Sequence, residues 1–149
     1  MVLHSLSGLL KSQGYGVSTA DGCQRAREEL LGGQLFDLLL LDYHLPDGSA
    51  LDLLCELRER LPRHVVVISG ISDAEETLYI LEKTLAKAFV TKNIDLDDLV
   101  AALKEVVDLP AGESRWVWQP KSRRFVDTAS AYSRETTLSP KEREVFMLM

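Results

Sequence analysis

The stretch FDLLLLDYHLPDGSALDLL, residues 36–54, decides the fold. Four consecutive leucines end in one carboxylate, Asp42, and the chain then turns through Pro46, Asp47 and Gly48. An apolar run of this length, bounded by turn formers, reads as a strand buried on both faces, as in a parallel sheet covered by helices on either side. After Ser49, a residue type that accepts bonds from free helix N–H groups, Leu51, Leu53 and Leu54 suit a helix face. The stretch therefore encodes strand, sharp turn and helix.

The same alternation extends in both directions. Apolar periodicity predicts helices over residues 2–12, 21–31, 49–61, 72–83 and 95–107, and strands over 15–19, 36–41, 65–68 and 88–91. Ser49, Ser72 and Asp95 are the expected N-caps, and Gly14 and Gly32-Gly33 the expected helix stops. Strands separated by helices imply an α/β fold with a mostly parallel sheet.

The totals suit one compact domain with some chain left over: 149 residues, against roughly 100–150 for a typical domain. Cys23 and Cys55 lie in separate predicted helices without metal-ligand spacing, so both are expected as reduced thiols. No apolar run reaches the ~18 residues of a membrane span, and residues 1–10 lack the pattern of a signal peptide, so a cytoplasmic protein without membrane contact is expected. Up to Val107 there are 10 basic against 17 acidic side chains, and 7 against 6 beyond it, which argues against nucleic-acid binding by the front half.

In such sheets ligand chemistry gathers at the carboxyl ends of the strands. Asp42 ends the leucine strand, Ser69 ends VVVIS and Lys92 follows FVT. Singly each has an ordinary explanation: a strand-end Asp forms turns, Ser69 opens a turn, and Lys92 is a solvated cation. Together a carboxylate, a hydroxyl and an ammonium would handle a phosphoryl group, with Asp42 as nucleophile and the other two on phosphoryl oxygens.

Residues 2–107 resemble the receiver domains of two-component response regulators. The resemblance is carried by D-x-x-L-P-D-G-S-x-L-x-L-L (Asp42 to Leu54), by Ser69-Gly70 and by F-x-x-K (Phe89 to Lys92). It implies a flavodoxin-like, doubly wound parallel sheet in which Asp42 is the phosphoacceptor from a sensor histidine kinase. Ser69 and Phe89 are then the switch residues that alter the surface of the fourth and fifth helices. The chain is read as a signalling domain rather than an enzyme, since no nucleotide loop and no Ser/His/Asp or Cys/His arrangement is legible.

Two departures from the family pattern matter. A receiver opens with a strand ending in an acidic pair that holds Mg²⁺ together with the phosphoacceptor, whereas Met1-Val2-Leu3-His4 looks like the interior of a helix. The expected fold therefore lacks the usual first strand, and Mg²⁺ is left with Asp42 and the His44 carbonyl, a poor octahedral site. Phosphate acceptance is expected to be weak or absent. The gap beside the leucine strand is to be filled by residues 15–19, by a second chain, or by loss of order, and an exposed apolar edge favours a homodimer. The second departure, Thr84-Leu85 in place of a glycine-containing helix end, leaves the boundary before the last strand open.

The expected organisation is a receiver over 1–107, a linker over 108–114 and the start of an output domain over 115–149. RWVWQP and RRFVDT read as a β-hairpin, and L-S-P-K-E-R-E-V-F as a helix capped by Ser139 with Pro140 at its first position. The helix resembles the opening of a LuxR/NarL-type DNA-binding domain, while the hairpin resembles the sheet before an OmpR-type winged helix. Either implies a transcription regulator that contacts DNA through an output domain incomplete here. The competing function is a pseudo-receiver, a phosphorylation-independent interaction or dimerisation module; a flavodoxin-like cofactor binder lacks the Gly-rich loop. His4, His44 and His64 have no ligand spacing and are expected as solvated or turn residues.

Overall fold

The computed structural model describes residues 3–33, 35–45, 48–70, 74–84, 86–110 and 115–128. Two helices, α1 (Leu3–Ser12) and α2 (Cys23–Leu31), precede the leucine strand β1 (Leu38–Asp42). A two-stranded ladder, β2 (His44–Leu45) with β3 (Gly48–Ser49), leads into α3 (Ala50–Glu56) and a 3₁₀ turn at Arg58–Arg60. There follow β4 (His64–Ser69), α4 (Ala74–Thr84), β5 (Ala88–Thr91), α5 (Leu96–Val106), β6 (Trp116–Gln119) and β7 (Arg124–Asp127). Apart from residues 15–19, each predicted element within the described residues is present, with ends shifted by a few residues.

Strand order in the main sheet is β1-β4-β5-β6-β7, parallel from β1 to β6 and antiparallel between β6 and β7. Every residue of β4 is buried, as a central strand with helices on both faces requires. Val65, Val67, Phe89 and Val117 turn to a cluster with Cys23 and Leu30 of α2, Leu53 and Leu54 of α3, and Ile80 and Leu81 of α4. Val66, Ile68, Ala88, Val90 and Trp118 turn the other way, against Leu6 of α1 and Leu99, Leu103 and Val106 of α5. The strand period of two thus divides an all-apolar sequence between two cores.

Local chemistry ends the helices. Gly14, at φ +94°, donates to the Lys11 carbonyl at 3.0 Å, and Gly33 (φ +89°) follows Gly32 after α2; both take the left-handed backbone that favours glycine. Thr84 supplies the stop that the missing glycine left open. Its hydroxyl donates to the Ile80 carbonyl at 2.6 Å, and its oxygen accepts from the Ala86 N–H at 3.3 Å. At α5 the expected side-chain cap is not made: Asp95 accepts from the Leu99 N–H through its carbonyl, at 2.8 Å. At the other end of α5 the Lys87 ammonium reaches the Val106 and Leu109 carbonyls, both at 2.9 Å, where a helix favours a cation.

Residues 15–19 are a correction. They form no strand: the Tyr15 N–H donates to the Leu10 carbonyl at 3.1 Å, so the chain after Gly14 folds back on the end of α1. The β propensity of Tyr, Val and Thr is expressed when a ladder partner is within reach, and among the described residues β1 pairs with β4 alone. Direct pairing of 15–19 with the leucine strand is therefore excluded.

The hairpin expected at the head of a following domain is hydrogen-bonded into this sheet. Trp116 and Val117 are in register with Ala88 and Phe89, the Trp116 N–H donates to the Lys87 carbonyl at 3.0 Å, and the Arg115 guanidinium donates to the Ala86 carbonyl at 2.8 Å. Val117, Trp118 and Phe125 are buried, and the Trp118 and Phe125 rings meet edge to face at 5.3 Å. In the hairpin turn Arg123 adopts φ +52°, and its guanidinium lies 2.5 Å from Asp98 in the first turn of α5. The tail helix predicted from Ser139, and the side chains of Ser49 and Ser72, lie outside the described residues.

Candidate functional site

Ladder register brings the predicted residues to one rim. Asp42 pairs with Ile68 across β1 and β4, and Ser69 pairs with Thr91 across β4 and β5. The next residues continue the ladders: the Tyr43 N–H donates to the Ile68 carbonyl at 3.0 Å, and the Lys92 N–H to the Ser69 carbonyl at 2.9 Å. All three candidate positions therefore stand at the carboxyl ends of adjacent parallel strands. Lys92 Nζ lies 2.7 Å from Asp42 Oδ2, spanning the intervening β4, with the side chains 37% and 36% exposed. Ser69, fully buried, ends the strand that lies between theirs.

Each side chain is held by its own strand end. The turn that carries Lys92 is closed by the Thr91 hydroxyl on Asn93 Oδ1 at 2.6 Å and by the Ile94 N–H on the Thr91 carbonyl at 3.3 Å. Phe89 is 1% exposed, packed in the cluster that includes Val67, Ile80 and Val117. The motif reading missed Tyr43, whose phenol is held above its ordinary pKa by burial and then by Tyr79 and Glu76 of α4. It follows the candidate nucleophile in sequence, while its ring packs against the cluster formed with α2, α3 and α4. Its position directly after Asp42 was the available signal.

Chemically, the arrangement offers a partly accessible carboxylate held by an ammonium beside a buried hydroxyl. One oxygen of the Asp42 carboxylate is bound by Lys92, and among the described residues no three His, Cys, Asp or Glu side chains are grouped to hold a metal ion. The His44 backbone is in β2, in register with Ser49, while Pro46 and Asp47 lie outside the described residues.

At the opposite rim His64 is buried, which corrects the expectation of a solvated histidine. Its Nδ1 lies 3.2 Å from the Lys87 ammonium. Burial, then Lys87 and Arg63, lower its pKa against an opposing pull from Asp37. The neutral ring can accept from Lys87, which makes this contact a structural tie between β4, β5 and the end of α5.

Residues 1–104 match the family model of the response regulator receiver domain. The chain belongs to that family. This receiver is 34% identical over 135 residues to the TorCAD operon transcriptional regulatory protein TorR of Escherichia coli K12, covering 88% of this chain and 57% of TorR. It is 31% identical over 115 residues to the cell cycle transcriptional regulator CtrA of Caulobacter vibrioides, covering 73% of this chain and 47% of CtrA. The chain thus spans about half the length of these relatives. Among solved structures, the non-phosphorylated HemR receiver domain from Leptospira biflexa superposes with a TM-score of 0.62 at 27% identity, covering 73% of this chain and 87% of that one. The CheY-like receiver domain protein from Methanospirillum hungatei gives 0.61 at 26% identity, covering 71% and 84%. The flavodoxin-like fold is borne out, in this receiver with a five-stranded sheet that includes the hairpin. No helix among the described residues is long and apolar enough to cross a membrane.

Proposed function

We propose that this chain is the receiver of a two-component transcriptional regulator and that Asp42 takes a phosphoryl group from a sensor histidine kinase. The observation that carries the reading is the 2.7 Å contact between Asp42 Oδ2 and Lys92 Nζ, with Ser69 on the strand between them. In the transfer an Asp42 carboxylate oxygen forms the O–P bond as the N–P bond to the donor histidine breaks, and the electron pair leaves with the imidazole. Lys92 then shifts from the carboxylate to a phosphoryl oxygen, and the Ser69 hydroxyl donates to another. The phosphoryl group adds roughly 1.5–2 negative charges, which biases Ser69 and Phe89 toward a second arrangement. Contact with DNA falls to an output domain that begins in the tail, as the names of the relatives support.

The second reading is a pseudo-receiver that works as an interaction or dimerisation module without phosphate. It is favoured by the occupied state of Asp42 and by the poor metal site. Incubation with a small phosphodonor, with and without Mg²⁺, followed by intact-mass measurement separates the two. Slow addition of one phosphoryl group, abolished in Asp42→Asn, is the expected result. A folded chain that stays unmodified at every donor concentration would remove the first reading and leave the second.

A further inference from the structure

Lys87, immediately before β5, holds both ends of the connection from α5 to β6. Its ammonium donates to the Val106 and Leu109 carbonyls, both at 2.9 Å, where α5 closes. Its backbone carbonyl accepts the Trp116 N–H at 3.0 Å, where β6 begins. One residue thus clasps the connector at residue 109 by its side chain and at residue 116 by its backbone. The third partner of the ammonium is His64 Nδ1, at 3.2 Å. An ammonium has three donors and no acceptor, so all three are committed, one of them to a ring nitrogen that accepts only while the imidazole is neutral. The two sides of that contact differ in freedom. His64 is buried, and its N–H donates to the Asp37 carbonyl at 3.3 Å. Lys87 is half-buried on a flexible stem that can carry its charged head to water. The other charged groups facing the clasp are Arg63 before β4, Asp37 before β1 and Asp108 after α5. Burial, then Lys87 and Arg63, make the His64 ring harder to protonate, and Asp37 opposes them. Burial, then Arg63, disfavour the charge on Lys87, and Asp108 favours it.

We propose that His64 and Lys87 form an acid-sensitive latch on the connector: a proton on His64 Nδ1 drives the Lys87 ammonium off the Val106 and Leu109 carbonyls and frees the end of α5. The imidazolium offers no acceptor and sets a second cation at the contact. Since the ring is enclosed and the Lys87 stem is not, it is the Lys87 side chain that withdraws. It takes with it the cation that favours the carbonyl end of the helix. The Asp108 N–H bond to the Glu105 carbonyl, at 3.0 Å, and the Leu109 N–H bond to the Val106 carbonyl, at 3.3 Å, then lose their support. The Trp116 end stays in place, because a backbone carbonyl holds it and does not titrate. Mild acid therefore loosens the connector at one end only, and the latch acts at the rim opposite Asp42, independently of phosphoryl transfer.

The test is amide hydrogen exchange of the full chain without phosphodonor, read as protection factors at about pH 7.5 and about pH 5.5, on either side of the ordinary histidine range. Protection at Asp108 and Leu109 is expected to fall about tenfold, the worth of one charge-assisted hydrogen bond. The Tyr43 and Lys92 amides, in the ladders at the far rim, keep theirs. His64→Gln, whose amide oxygen can accept from Lys87 and does not titrate, should show no fall. Lys87→Met should show the reduced protection at both pH values. Unchanged protection at Asp108 and Leu109 in the unaltered chain overturns the proposal. So does a fall shared equally by Tyr43 and Lys92, which is general acid unfolding. A fall of undiminished size in either folded variant also overturns it, and each variant decides on its own should the other fail to fold.

Discussion

Lys92 Nζ lies 2.7 Å from Asp42 Oδ2, across the rim of a sheet in which neither strand touches the other directly. β4 separates them, and its buried Ser69 completes the row. Both members of the pair are more than a third exposed, so water screens the attraction and the pair contributes about 0–1 kcal/mol to folding. Its chemical value lies in placing a cation where a phosphoryl group would develop charge.

Lys92→Ala is accordingly expected to move the urea midpoint little, with a stability change of at most about 1 kcal/mol. Labelling of Asp42 by a small phosphodonor should slow by about 10²-fold, the usual cost of removing one electrostatic contact to the reacting group. Urea melts and the time course of intact mass measure the two effects on one variant. Equal labelling rates in the two proteins would remove Lys92 from the site.

Trp118 ties the hairpin to the receiver core, being 4% exposed and packed with Phe125 and the α5 cluster. Trp118→Ala is expected to cost about 3–5 kcal/mol, as truncation of a buried aromatic residue does. Because β6 is bonded to β5, the loss should appear in the same unfolding transition as the rest of the sheet. A sheet that melts at its unaltered midpoint while the tryptophan fluorescence signal changes separately would show a hairpin that folds apart from it.

His64 predicts a loss of stability on mild acidification. Burial and the cations Lys87 and Arg63 hold its folded pKa below the ordinary 6.5, with Asp37 opposing. As pH falls, the unfolded chain takes up the proton first. The contribution is therefore full above about 6.5 and is lost as pH drops through the folded pKa. Protonation also places two cations at the 3.2 Å contact between His64 and Lys87. The urea midpoint of the unaltered chain should fall between neutral and mildly acidic pH more steeply than that of His64→Gln.

Much of this was legible because it is local. The four leucines, the VVVIS run and the FVT run each mark a strand by composition, and Asp42, Ser69 and Lys92 mark the strand ends by their place in the order. Sequence reading failed where a residue's state depends on something distant in the chain. Residues 15–19 have strand propensity and no ladder partner; the hairpin of Trp116 and Trp118 and its packing against the receiver were legible, but nothing in it names β5 as its ladder neighbour. His64 has no sequence neighbour that foretells Lys87, and Arg123 none that foretells Asp98.

The amino-acid order by itself determined most of the helices and strands, residues 15–19 excepted, and the glycine stops after α1 and α2. Apolar spacing, glycine conformation and turn chemistry act over a few residues and need no knowledge of the rest of the molecule. Tertiary structure decided which strands are neighbours, and with that the added strands β6 and β7 and the meeting of Asp42 with Lys92. Ladder hydrogen bonds join any two strands of matching phase. The choice among them is made by how the helices on both faces bury their apolar sides together, a property of the assembled core.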